Sequence, residues 1–104
     1  MQVIAPFSAD DLVDKQVRQV EVDGRAPIAV YRLGDELLAT DDICTHEFAF
    51  LSEGEIEGGE IICPFHLGAF DIRTGEATVA PCVDPLVVYP VTVDAAGRII
   101  IDLG

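Results

Sequence analysis

Both histidines of this 104-residue chain stand within three positions of a cysteine. The two groups read Cys44-Thr45-His46 and Cys63-Pro64-Phe65-His66, with sixteen residues between His46 and Cys63. Thiolate and neutral imidazole are both good ligands for borderline-soft metals. Two such pairs, carried on facing loops, can hold one tetrahedral ion or a binuclear cluster. The third cysteine, Cys82, lies outside both groups and reads as a buried thiol.

Several chemistries compete for this pattern. Two buried cysteines and two hydrogen-bonded histidines would be the plainest, but every histidine of the chain would then fall into the pattern by coincidence. Zinc accepts two cysteines and two histidines. Zinc fingers, however, pair cysteine with cysteine and histidine with histidine, whereas each loop here mixes the two. A cluster held by four cysteines needs one more than the chain has. A 2Fe–2S cluster with two cysteines on one iron and two histidines on the other uses all four side chains. The zinc reading makes the protein a colourless binding module, and the cluster reading makes it a red-brown electron carrier.

The elements that must position these loops are short strands. A hairpin is predicted from Val20-Glu21-Val22 through Asp23-Gly24 to residues 28–33, and Gly34-Asp35 turns the chain into residues 36–40. Glu55-Ile56-Glu57, Gly58-Gly59 and Glu60-Ile61-Ile62 form another hairpin signal, placed between the two ligand groups. Val87, Tyr89, Val91 and Val93 alternate as one strand, residues 94–97 turn, and Ile99, Ile101 and Leu103 alternate back. Only residues 8–14 read as helical, with Ser8 as N-cap and Asp11 at the capping-box position. The even spacing of strands argues an all-β fold, an antiparallel sandwich or barrel. Residues 43–70 differ from the rest, holding both histidines and four of the seven aromatics, and read as a small inserted lobe in a single domain of residues 1–104. Phe48, Phe50 and Phe65 would either shield a cluster or fill that lobe's own core.

Composition narrows the partners. Half the residues are hydrophobic, enough for one core, and the length leaves no room for a second domain. Nineteen acidic residues against six basic ones give a net charge of −13, with Lys15 as the single lysine. That charge repels nucleic acid and anionic membranes and suits docking to a basic protein surface. Glu53, Glu55, Glu57 and Glu60 concentrate it between the ligand groups, with Glu47 inside the first. The start, Met1-Gln2-Val3-Ile4-Ala5-Pro6, lacks the charge and apolar run of a signal peptide, and no stretch is long enough to span a membrane. An odd number of cysteines, two beside histidines, favours metal ligation in a reducing compartment, which places the protein in the cytoplasm.

Cys-Thr-His followed by Cys-Pro-x-His at this separation resembles the Rieske motif. Leu51-Ser52-Glu53-Gly54 before the hairpin, and Gly68-Ala69-Phe70-Asp71 with Thr74-Gly75 after it, extend the likeness to the Rieske ferredoxins of bacterial aromatic-ring-hydroxylating dioxygenases. The resemblance implies a Rieske fold and one 2Fe–2S cluster, with Cys44 and Cys63 on the buried iron and His46 and His66 on the outer one. It implies a one-electron carrier, not an enzyme, working as a monomer between a flavin-dependent reductase and a terminal Rieske oxygenase in aromatic hydrocarbon catabolism. Both histidines are committed to the cluster, so none remains for an oxygenase's mononuclear iron. Pro81 falls in a third, proline-containing loop over the cluster. Relatives of high potential carry an extra cysteine in each loop and hydroxyl donors where this chain has Gly68 and Phe70. Their absence implies a potential near the low end of a range of about −150 to +300 mV. By the same logic, Gly68→Ser with Phe70→Tyr would raise it, if the loop tolerates the change.

Overall fold

The computed structural model describes residues 2–45, 48–65 and 67–104. Regular structure among these is strand throughout, apart from two 3-10 turns at Ala9–Asp11 and Leu51–Glu53. The strands are β1 (Val3–Ile4), β2 (Val17–Val20), β3 (Ile28–Leu33), β4 (Glu36–Asp41), β5 (Glu55–Glu57), β6 (Glu60–Ile62), β7 (Ala69–Asp71), β8 (Ala77–Val79), β9 (Val88–Tyr89), β10 (Val91–Val93) and β11 (Ile99–Asp102). They form three antiparallel sheets, ordered β1-β11-β10, β2-β3-β4-β9 and β5-β6-β7-β8. The all-β expectation holds.

The second strand of the first hairpin carries the architecture. Successive side chains of a strand point to opposite faces, and residues 28–31 of β3 are buried on both. Ile28 and Val30 pack with Leu12, Ala39, Ile99 and Ile101 in a core shared with the three-stranded sheet. Ala29 and Tyr31 face the other way, into a second core with Leu51, Ile61, Phe70, Ile72, Leu86 and all three cysteines. One strand thus anchors two cores, and the second of them is where the chemistry lies.

Local details depart from the sequence reading for physical reasons. The helical stretch at residues 8–14 is only the 3-10 turn Ala9–Asp11. Ser8 does not cap it, its hydroxyl being given instead to the Gly97 carbonyl at 3.3 Å. Strand β2 stops at Val20, so Asp23-Gly24 lies within a longer connection, with Gly24 in the left-handed region at φ 79°. The valine-tyrosine alternation before residue 94 is two strands: Pro90 has no amide to donate, β9 pairs with β4, and β10 pairs with β11. The Gly34-Asp35 and Gly58-Gly59 turns fall where predicted, joining β3 to β4 and β5 to β6. The sheet begun by β5 and β6 continues through β7 and β8 to Val79.

Candidate functional site

Strand β4 runs out at Asp41, and the first ligand group follows directly. The Cys44 amide donates to the Ala49 carbonyl at 2.9 Å, and Ile43 bridges Phe50, so residues 44–49 form a loop pinched shut at its base. The second group is built the same way. The Cys63 amide donates to the Gly68 carbonyl at 2.7 Å, closing residues 63–68 between β6 and β7. Each cysteine is therefore the first residue of a six-residue loop and spends its own amide on shutting it. Cys44 is 3% exposed and Cys63 is 1% exposed, both within the same core. His46, His66 and Glu47 lie outside the described residues.

A third loop packs against the other two. It contains a cis Ala80–Pro81 bond and the buried Cys82. The Thr45 hydroxyl donates to the Asp84 carbonyl at 2.7 Å, tying the first ligand loop to it. Gly68 packs beneath it so closely that a Cβ there would come within 2.5 Å of the Cys82 sulfur and 3.1 Å of the Val79 carbonyl. A serine at 68 would therefore collide with the resident thiol, and the Gly68→Ser idea drawn from the sequence fails on space. Phe70 is fully buried in the core beside these loops.

The first ligand loop is held to the base by a buried carboxylate. Asp42 has no exposed surface. Its Oδ1 accepts the Ser52 amide at 2.7 Å, and its Oδ2 accepts the Ser52 hydroxyl and the Gln19 side-chain amide, each at 2.8 Å. Its backbone accepts from Leu51 and donates to Pro27. Beside it, Asp41 accepts both the Arg25 guanidinium and the Tyr89 hydroxyl. Arg25 also donates to the Tyr89 oxygen and sits over its ring. The pKa of Tyr89 is raised by burial and then by its bond to Asp41, while that of Arg25 is raised chiefly by its bond to Tyr89. Sequence reading missed Asp42 and Gln19, and met Ser52 only as part of the Leu51-Ser52-Glu53-Gly54 likeness. The available signal was a pair of carboxylates, Asp41 and Asp42, immediately before Ile43-Cys44.

Phe48 and Phe65 do not fill a core. They are 73% and 52% exposed, and Leu67, in the left-handed region at φ 58°, is 68% exposed. Phe50 is half-buried, and Phe48 meets it edge-on with ring centroids 5.4 Å apart. Apolar side chains next to both ligand groups thus face outward, and the exposed Glu53 and Glu55 line one cleft with Leu67.

Residues 2–90 match the Rieske [2Fe-2S] domain family. "Ferredoxin CarAc" of Metapseudomonas resinovorans is 49% identical over 86 residues, covering 83% of this chain and 80% of that protein. The ferredoxin component of the p-cumate 2,3-dioxygenase system of Pseudomonas putida is 43% identical, covering 93% of this chain and 82% of its own length. A ferredoxin-like match in the solved complex of reduced oxygenase and oxidized ferredoxin in carbazole 1,9a-dioxygenase superposes with a TM-score of 0.92 at 43% identity. It covers 95% of this chain and 91% of that one. The donor chemistry on this side of the site fits such a cofactor: two buried thiols at matching loop positions, in a core without a competing buried cation among the described residues. No helix of the described residues is long and apolar enough to cross a membrane.

Proposed function

The chain belongs to the Rieske [2Fe-2S] domain family as a ferredoxin carrying one 2Fe–2S cluster, an electron carrier and not a catalyst, and from that premise we propose how it holds the cluster and whom it serves. Cys44 and Cys63 ligate one iron, and His46 and His66 the other, within a single Rieske domain of residues 1–104 whose cluster lobe centres on residues 43–70. The observation that carries this reading is the matched pair of closed loops, each headed by a buried cysteine and each containing one of the two histidines. The cluster supplies a site for one electron. The chain keeps the thiolates dry and presents an apolar, acid-rimmed tip to a partner.

The partners are a flavin-dependent reductase that supplies the electron and the terminal oxygenase of an aromatic-ring-hydroxylating dioxygenase system that receives it. The named relatives are components of such systems, which supports the reading. The exposed Phe48, Phe65 and Leu67 give each partner a small contact of the kind that suits brief electron-transfer encounters. The protein acts as a monomer in the cytoplasm.

Metal analysis and spectroscopy test the assignment. The loaded protein is expected to hold two irons and two labile sulfides per chain and, once reduced, to give an EPR signal of low average g. Cys44→Ser, Cys63→Ser, His46→Ala and His66→Ala should each lose the cluster or leave an unstable remnant. One zinc and no iron, in protein produced with ample iron, would reject it.

A further inference from the structure

Cys82 is absent from the ligand set, yet its sulfur lies 4.0 Å from the Cys44 sulfur, in a site where Cys82 is 5% exposed. That separation is at the long end of a sulfur-to-sulfur hydrogen bond, in which a thiol is a weak donor and a thiolate a charged acceptor. Between two thiols either sulfur could donate. A cysteine bound to metal is a thiolate and has no hydrogen to give, so with Cys44 as a ligand the donor is Cys82.

The fold holds the thiol in this position. Cys82 comes from the third loop, and the space its sulfur occupies is the space a side chain at residue 68 would need. Gly68 closes the second ligand loop through its carbonyl, while its missing Cβ leaves room for the thiol. The Thr45-to-Asp84 bond fastens the first ligand loop to the same segment. Cys44, Cys82 and Gly68 are thus packed as one unit across three loops.

We infer that Cys82 tunes the electron carrier, its S–H donating to the Cys44 sulfur and holding the reduction potential above the value the protein would have without that bond. The inference rests on Cys44 being a cluster ligand. Reduction makes ligand sulfur more negative, and a hydrogen bond strengthens with the charge of its acceptor, so the donor stabilises the reduced form more than the oxidised one. Where Gly68 and Phe70 bring no hydroxyl, a weaker donor reaches a ligand sulfur from another loop.

Infrared spectroscopy of the loaded wild-type protein gives the direct test. Three cysteines with two ligated leave one S–H stretch. A single band is expected, at lower frequency than a thiol without a hydrogen bond, moving lower still on reduction and vanishing in Cys82→Ala. Voltammetry should find the Cys82→Ala midpoint below that of wild type, at equal iron and sulfide content. A band that sits at the frequency of a thiol without a hydrogen bond and ignores reduction would overturn the inference, as would an Ala variant whose midpoint is equal or higher. More than one S–H band in fully loaded protein would mean that a proposed ligand cysteine is not one. The ligand assignment would then fail, and this inference with it.

Discussion

The Ser52 hydroxyl and amide both donate to the carboxylate of Asp42, at 2.8 and 2.7 Å, so one serine binds both oxygens of one buried acid. Asp42 precedes the first ligand loop and Ser52 follows it. The pair therefore clamps the two ends of the loop together, while Gln19 fixes the clamp to β2. Removing the acid leaves three donors on half-buried residues without their acceptor. Asp42→Ala is expected to cost about 2–4 kcal/mol, since bonds to a charged acceptor count for more than neutral ones. Asp42→Asn should fall between, because its NH2 group would face a donor from Gln19. Thermal melts of loaded protein, read by far-UV circular dichroism, should rank Ala below Asn below wild type. An Ala variant melting with wild type would show that the clamp is idle.

Alkali should unfold this protein through its tyrosines. Burial pushes the Tyr31 hydroxyl far above its usual range, and its hydrogen bond to Thr40 offsets only part of that. Thr40 gives its own hydrogen to the Asp41 carbonyl, so Tyr31 is the donor in that pair. A raised phenol keeps its proton in the folded state while the unfolded chain loses it above pH about 10. Stability is thus intact below that pH and falls as pH rises, by about 1.4 kcal/mol per unit for Tyr31. In a Tyr89→Phe background, tyrosinate absorbance should appear together with loss of circular dichroism. Tyrosinate formed in full while the strands persist would contradict this.

Gly68 and Cys82 should behave as a coupled pair. Gly68→Ala drives a methyl group into the Cys82 sulfur and should cost about 1–3 kcal/mol. Adding Cys82→Ala makes room, so the double variant should regain part of that loss. A denaturation cycle over the four proteins would read the coupling directly. Additive losses would mean that the two loops relax apart at no cost.

Charge and apolar surface should separate in the kinetics of docking. With a net charge of −13, encounter with a basic partner should be accelerated roughly 10- to 1,000-fold at low salt. The Debye length falls from about 30 Å at 0.01 M to about 3 Å at 1 M, so the gain should disappear over that span. Stopped-flow reduction of the oxygenase should slow as salt rises, and Glu53→Lys with Glu55→Lys should flatten the dependence. Phe48→Ser with Leu67→Ser should lower the rate that survives at high salt, with the midpoint unchanged. A rate indifferent to both salt and these variants would remove the tip as the docking face.

The strand pattern, the turns at Gly34 and Gly58 and the all-β class were legible because alternation and turn chemistry are local. Pro90 divided what looked like one strand, and that too was visible in the residue itself. The clamp was not legible: Asp42, Ser52 and Gln19 meet only once β2, β4 and the first loop are assembled, and each is an ordinary polar residue in isolation. Cys82 was correctly read as buried, yet nothing in its neighbours in sequence announced that Gly68 would be bare in order to accommodate it. The outward turn of Phe48 and Phe65 was likewise hidden, since aromatic residues in a small lobe more often pack inward.

The two pinched loops, residues 44–49 and 63–68, are the same device used twice, although the chain shows no repeat in its letters. Their lengths are set by the bond from each cysteine's amide to the residue five places on. One inserted residue inside either loop would move that partner out of reach. The β5–β6 hairpin between them obeys no such rule, because its tip at Gly58 lies outside both closures. Of the sixteen residues between His46 and Cys63, those about the hairpin tip are therefore the slack variable. A chain of this kind can lengthen or shorten that hairpin, and so reshape what it shows to a partner, while the span of each small loop stays fixed.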